Sequence, residues 1–273
     1  MQDQSRFTFE CGDARAADVF AEHGVVCFRD LVRPSEIDLL RDWIEVAIQN
    51  PSPRFVGTDN ATFLRDGRLW ARFDGFRDFA FSSRIAEAAA LIMASDHVRM
   101  YNDSMFVKEP SAPEPTPWHQ DLPYFNIEGT ANCSAWIPLD PANEASGAMS
   151  YVIGSHRFGK MFRPVNLSKP SEFRTEDEFD GGLPDIDGNP ELYPTVTFDL
   201  RPGDVVFHHL LTLHKSGPNN NADRRRRVHT MRLAGDGMKW KKRAYSSVEF
   251  HNDLQSGDLL QGPEFPVLWP RSA

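Results

Sequence analysis

Apolar positions recur in two rhythms along this chain, and the change between them falls near residue 98. Before it the spacing is helical. Val19 and Phe20 lie in a short Ala-rich segment that stops near Gly24, a residue suited to a helix C-cap. Val25-Val26-Cys27-Phe28 is a short apolar run that predicts a strand, and Ser35 then opens a second helix. Ile37, Leu40, Ile44 and Ala47 recur on one side of it, with Leu39, Trp43 and Val46 widening the stripe. A third helix is predicted over 83–94, with Ile85, Ala88, Ala89 and Ile92 on one face.

From Val98 onward the runs are short, alternating and separated by Gly, Pro and Asn. They predict strands at Val98–Val107, Ser134–Leu139, Ala148–Ile153, Thr195–Leu200, Asp204–His209 and Arg226–Leu233. Many short strands with turn punctuation suggest a sandwich or double-sheet barrel. The polar, Gly/Pro-rich stretch 158–194 lacks periodicity, as a lid or binding loop would. The plan is mainly β with flanking helices: one domain over 1–273, with a helical part at 1–97 packed on a β core at 98–273.

Composition narrows the function classes. Of 273 residues, 30 are Lys or Arg and 39 are Asp or Glu, a formal charge of −9 that disfavours a nucleic-acid groove. No apolar run approaches the roughly 18 residues of a membrane helix. The first residues carry no apolar signal core. The three cysteines, Cys11, Cys27 and Cys133, are odd in number and far apart, so free thiols in a reducing, cytoplasmic setting are expected.

Chemistry concentrates in Trp118-His119-Gln120-Asp121. In extended chain, residues i and i+2 face the same way, so His119 and Asp121 project an imidazole and a carboxylate into one space. A third candidate ligand is His214, which follows the Gly203-Asp204 turn and the apolar run Val205-Val206-Phe207. Two histidines and one carboxylate with the other positions open form the facial triad of non-heme Fe(II) sites. Neighbouring His156, His208, His209 and His229 are expected to be core or surface residues. The run Arg224-Arg225-Arg226-Arg227 feeds a predicted strand on which Arg226, Val228, Thr230 and Arg232 share a face. An inward guanidinium needs a carboxylate partner, and a dicarboxylate co-substrate would supply one. Arg226 is the choice for that anchor, or Arg225 if the register slips by one.

Several ordered motifs then carry a resemblance. Trp118-His119-Gln120-Asp121, Ser134-Ala135-Trp136-Ile137-Pro138-Leu139-Asp140, Ser146-Gly147-Ala148-Met149, Gly154-Ser155-His156, Gly203-Asp204-Val205-Val206-Phe207 and His214-Lys215-Ser216-Gly217-Pro218-Asn219 occur in sequence. With Ala21-Glu22-His23-Gly24-Val25-Val26 near the start and Phe265-Pro266-Val267-Leu268-Trp269 near the end, they resemble the phytanoyl-CoA dioxygenase family of Fe(II)/2-oxoglutarate oxygenases, in a bacterial branch. The resemblance implies a double-stranded β-helix, the jelly-roll or cupin-like core. It implies iron on His119, Asp121 and His214, with 2-oxoglutarate and O2 as co-substrates. It places the far carboxylate of 2-oxoglutarate on the arginine after the distal histidine, with Trp136, Ser216 and Ser104 nearby. Counting back from the strand gives Arg226; counting forward from His214 gives Arg225. Family-like halogenases replace the carboxylate ligand by a small residue, so Asp121 implies hydroxylation of a small organic substrate.

Tyr124 and Phe125 follow the His-x-Asp closely and are candidates for the substrate wall, as is Trp70 in the aromatic cluster Phe63, Trp70, Phe73, Phe76, Phe79 and Phe81. Arg65, Arg68, Arg72 and Arg77 could contact an anion. The same residues would also serve desaturation, or hydroxylation leading to C–P or C–N cleavage. A metal-binding jelly-roll module without turnover and a zinc hydrolase are the readings from other classes.

Overall fold

Two rows of alternating side chains on one large sheet decide this architecture, one turned to helices and one to a cavity. The structure is a computed structural model that describes residues 3–57, 61–165, 179–243, 246 and 248–271. In chain order the elements are β1 (Thr8–Phe9), α1 (Arg15–His23), β2 (Val25–Phe28), α2 (Pro34–Gln49), β3 (Phe63–Gly67), α3 (Leu69–Arg72), α4 (Asp74–Ser82), α5 (Ile85–Met93) and β4 (Val98–Lys108). There follow β5 (Thr116–His119), β6 (Ile127–Glu128), β7 (Asn132–Pro138), β8 (Met149–Val152), β9 (Thr195–Thr197) and β10 (Val205–His208). The last are β11 (His214–Ser216), β12 (Arg226–Ala234), β13 (Lys239–Trp240) and β14 (Val267–Trp269).

Among the described residues the main sheet has eight strands in the order β1-β2-β10-β7-β12-β4-β14, with β3 also paired to β4. A second sheet of four strands runs β5-β11-β8-β9, and β13 pairs with β6. Apart from β1 with β2, the pairings are antiparallel. The outer row of the main sheet is apolar: Met105, Val107, Ala135, Ile137, Phe207 and Met231 pack with Phe20, Leu40, Ile44, Phe76 and Phe79 of the helices. The inner row meets the second sheet, where Trp136, Val206 and Val228 pack with Tyr151 and Val196. These two facing sheets are the jelly-roll core.

The helices end and begin for local reasons. Gly24 closes α1 at φ 72°, and a Cβ there would meet the His156 ring at 2.3 Å and Thr212 Oγ1 at 2.6 Å. Helix α2 starts one residue before the expected Ser35. Pro34 takes the first helical position, where its fixed φ and missing N–H cost nothing, and the Arg33 N–H donates to Glu36 Oε2 at 2.8 Å. A register shift between Arg232 and Leu233 turns Tyr101 out of the alternation, so that Asn102 faces inward while Met100 faces the helices. Residues 166–178, the middle of the expected lid, lie outside the described residues. On its flanks, Phe162 and Ile186 pack against Val152 and Leu213. No helix among the described residues is long and apolar enough to cross a membrane.

A fully buried polar contact ties the helices to the sheet. Asp103, fully buried on the outer face of β4, accepts from the Leu69 N–H at 2.7 Å and the Trp70 N–H at 2.9 Å, and lies 3.1 Å from His229 Nε2. It satisfies the first turn of α3, which would otherwise bury unpaired donors. Asp103→Ala is expected to lower the unfolding free energy by about 3–5 kcal/mol, the scale for stranding a buried polar partner. Urea denaturation measures it as a lower midpoint at unchanged slope.

Candidate active site

His119 and His214 meet because the sheet makes them direct partners: they are opposite one another in the antiparallel β5–β11 pair, with ring centroids 4.1 Å apart. Each Nδ1 lies 2.8 Å from a backbone carbonyl two residues upstream, Pro117 for His119 and Thr212 for His214. A carbonyl only accepts, so Nδ1 carries the proton in both rings and each Nε2 presents its lone pair inward. Strand β5 ends at His119, so Asp121 is not placed by extended chain. A turn brings it round, with its backbone at φ −77°, ψ −40° and its N–H donating to the Leu210 carbonyl at 2.9 Å. Gln120 points away and pins that turn, donating to the Leu211 carbonyl at 2.9 Å and accepting from the Phe162 N–H at 2.8 Å.

The result is a buried three-donor cluster. Asp121 Oδ1 lies 3.6 Å from His119 Nε2 and 3.7 Å from His214 Nε2, and one ligand atom from each residue lies within 4.8 Å of the others. Burial raises the Asp121 carboxyl, but His119, His208 and Arg232 outweigh it and hold the group well below the usual carboxylate range. Burial, aided by His119 and His208, pushes His214 well below the ordinary imidazole value. A charged carboxylate with a neutral imidazole is the protonation state that metal ligation requires. Asp121 Oδ2 is buried without a hydrogen-bond partner. The donor set therefore fits a divalent iron with open positions.

The cluster lies in a cavity of about 440 Å³ between the two sheets. Arg226 lines it, is 3% exposed, leaves Nε without a hydrogen-bond partner and has its guanidinium 5.7 Å from the Trp136 ring centroid. Burial pushes its pKa down to about 10, against the pull of Asp140. Arg225 is turned out of the cavity, ion-paired with Glu45 at 2.7 Å and with Glu109. Trp136, Ser216 and Ser104 line the cavity too, as do Tyr124 and Phe125. The Tyr124 hydroxyl donates to the Val165 carbonyl, and Ser216 Oγ donates to the Gly147 carbonyl at 2.8 Å.

Trp70 is not brought to this cavity. It is 9% exposed within the core beneath the helices, because its segment turns into α3 on Asp103. Of the same aromatic cluster Phe63 reaches the cavity, stacked on Phe106 at 6.3 Å, while Phe76 and Phe79 flank His229 and Phe81 is exposed. Arg65, Arg68 and Arg72 line the cavity; Arg77 instead donates to the Trp70 carbonyl and Asp74.

Two polar residues of the site were missed in the sequence: His208, expected to be a core or surface residue, and Lys108, which went unread. His208 lines the cavity, its Nε2 3.6 Å from Asp121 Oδ2 and its ring 4.5 Å from that of His214. Lys108, 1% exposed, donates from Nζ to Ser216 Oγ at 3.3 Å and to the Gly217 carbonyl, opposite Arg226 in the β4–β12 register. Burial and the neighbouring Arg226 push its pKa down to about 7, Glu114 opposing. The two-residue alternation contained a signal for both: Val206 precedes His208 on the inner face, and Asn102, Ser104 and Phe106 precede Lys108.

Known proteins share this arrangement of chain. A probable alpha-ketoglutarate-dependent hypophosphite dioxygenase from Stutzerimonas stutzeri is 30% identical over 156 residues, covering 56% of this chain and 51% of that protein. The 1-deoxypentalenic acid 11-beta-hydroxylase of Streptomyces exfoliatus is 26% identical over 229 residues, 77% of each chain. This chain thus spans about half the length of the first of these relatives and 34% of a probable phytanoyl-CoA dioxygenase from Caenorhabditis elegans. A non-heme alpha ketoglutarate dependent carbocyclase from nogalamycin biosynthesis shares the fold at TM-score 0.73 and 24% identity, covering 93% of this chain and 95% of that one. The epimerase of the same biosynthesis superposes at TM-score 0.72 with 23% identity, over 93% of this chain and 97% of its own. The phytanoyl-CoA dioxygenase (PhyH) family pattern matches residues 20–228, and the chain belongs to that family.

Proposed function

We propose that this chain is an Fe(II)/2-oxoglutarate-dependent dioxygenase that hydroxylates an unactivated C–H bond of a small organic molecule. The observation that carries the reading is the convergence of His119, Asp121 and His214 in one cavity with an inward, unpaired Arg226. Metal ligands alone would serve a zinc hydrolase, but the buried guanidinium calls for a dicarboxylate.

His119, Asp121 and His214 would hold the iron, and the chemistry supplied there is oxidative decarboxylation of 2-oxoglutarate to succinate and CO2, coupled to oxidation of the substrate by O2. The chain's own contribution is orientation and exclusion of water. The carbonyls of Pro117 and Thr212 lock both imidazoles with Nε2 inward. Arg226, backed by Trp136, takes the far carboxylate of 2-oxoglutarate; Ser216 and Ser104 border that end. Lys108 stands behind Ser216 and adds positive charge when protonated. Tyr124 and Phe125 wall the side nearest His119, where the substrate would lie. Asp121 fills the ligand position that a small residue would leave to a halide, which favours hydroxylation. Hydroxylation is also the outcome named for the Streptomyces exfoliatus relative.

Anaerobic titration of the protein with Fe(II) and 2-oxoglutarate is expected to give a weak visible charge-transfer band. His119→Ala and Asp121→Ala should each abolish it; retention of both band and turnover in the double variant would remove the triad from the chemistry. Air should then start O2 consumption that stops without the keto acid, whereas a hydrolase would need neither.

The two arginines separate cleanly. Arg226→Ala is expected to weaken 2-oxoglutarate binding by about 2–5 kcal/mol, roughly 30-fold or more, as for truncation of a buried charged partner. Arg225→Ala, which loses ion pairs with Glu45 and Glu109 outside the cavity, should change it less than about twofold. Calorimetric titration of 2-oxoglutarate into the metal-loaded variants checks both.

A further inference from the structure

Among the described residues, one buried cation of the cavity has no carboxylate within hydrogen-bonding distance. Arg68 is ion-paired with Glu264 at 2.6 Å and Arg72 with Asp66 at 2.7 Å. Arg226 is assigned to the co-substrate. Arg232 lies on the same inner face of β12, two turns of the pleat beyond Thr230's predecessor Val228, and is 7% exposed. Its Nη1 donates to Thr230 Oγ1 at 2.6 Å, and its Nε has no hydrogen-bond partner. The nearest carboxylate is Asp121, with Oδ2 at 3.7 Å from Nε, too far for a hydrogen bond. That carboxylate faces the two ligand imidazoles with Oδ1 and shares Oδ2 between His208 and Arg232.

Formal charge sharpens the point. Fe(II) with Asp121 leaves one positive charge, and the 2-oxoglutarate dianion with Arg226 leaves one negative charge. These cancel, and the charge of Arg232 remains in excess beside the metal position, with only the far oxygen of Asp121 near it. A buried charge in that state is costly unless a ligand neutralises it.

The guanidinium is also held for use. It lies between Phe106 and Phe125, 5.7 and 5.8 Å from their ring centroids. Aromatic contacts of this kind use none of its N–H groups, and those not bonded to Thr230 stay available for recognition. Arg54, Arg65, Arg68 and Arg72 line more open parts of the same cavity, against the carboxylates of Asp66 and Glu249. In a chain of net charge −9 this is a local reversal of sign, which draws anions inward.

We propose that Arg232 binds an anionic group of the primary substrate, so that the substrates of this enzyme are small organic acids bearing a carboxylate, phosphonate or sulfonate close to the attacked carbon. The proposal rests on the oxygenase reading and narrows it to a substrate class. Arg232 is a specificity-determining residue in this account, and the anion on it lies next to the metal because both adjoin Asp121.

The test uses the protein loaded anaerobically with Fe(II) and 2-oxoglutarate. Propionate, methylphosphonate and methanesulfonate are titrated in, with neutral propionamide as the control, and the visible band and calorimetric heat are followed. At least one anion is expected to perturb the band saturably while propionamide does not, and which anion does so names the oxyanion. Arg232→Gln should weaken that anion roughly 30-fold or more, a loss well beyond any accompanying change in 2-oxoglutarate affinity or in the band recorded without the anion. Arg232→Lys, which keeps the charge and loses the planar fork, should recover part of the affinity and serves if the glutamine variant does not fold. Failure of all three anions to bind wild-type protein, or equal binding by the variants, would overturn the proposal. So would loss of the 2-oxoglutarate band in both variants, which would make Arg232 a support for Asp121 or the co-substrate instead. Absence of the band in wild-type protein is a different failure, that of the oxygenase reading itself.

Discussion

A carboxylate buried in a protein interior must be surrounded by groups that offset its lost hydration, and Asp121 is surrounded on every side. His119 and His214 face Oδ1, while His208 and Arg232 face Oδ2. The strands that bring these four groups together, β5, β10, β11 and β12, come from both sheets. The cavity is therefore an electrostatic arrangement before it is a binding site. Remove the carboxylate, and the Arg232 guanidinium would lose the negative charge beside it in a medium that screens charge poorly.

The cost of so polar an interior is offset on the other side of the main sheet. Strands β4, β7, β10 and β12 turn their alternate residues outward into a continuous apolar layer against α1 to α5. Burial of that layer supplies the stability that an inner face of Asn102, Ser104, His208, Arg226 and Arg232 cannot. Asp103 and His229, fully buried on the helix-facing side of β4 and β12, join the two layers through the start of α3. The same strands thus hold the metal ligands' surroundings rigid and bind the helices that keep them rigid. A site whose geometry matters to a fraction of an ångström is best built on such paired strands.

Arginine is used in two ways that follow from its place on β12. Arg225 and Arg227 point outward and are ion-paired with Glu45, Glu109 and Asp140. Arg226 and Arg232 point inward, six residues apart on one face, and neither Nε has a hydrogen-bond partner among the described residues. The outward pair secures the start of the strand to α2 and to the segments just after β4 and β7. The inward pair divides the cavity into an end under Trp136 and an end between Phe106 and Phe125.

Local pattern was enough for much of this. The helical stripe of Ile37, Leu40, Ile44 and Ala47, the cap at Gly24 and the short strands after Val98 were legible because each depends on spacing within a few residues; the His119-x-Asp121 pair was legible as residue types, although a turn and not an extended strand brings Asp121 round. The alternation of β12 also put Arg226 and Arg232 on one face. Which face that was, and hence the choice between Arg226 and Arg225, depended on pairing with β4 and β7. So did the inward turn of His208 and Lys108 and the outward place of Trp70. A period of two says that neighbours point oppositely, but only the register between distant strands says which side is the cavity. The convergence of His214 on His119 is the same kind of fact: a cross-strand partnership between residues far apart in the chain, settled by hydrogen-bond register and by nothing nearer.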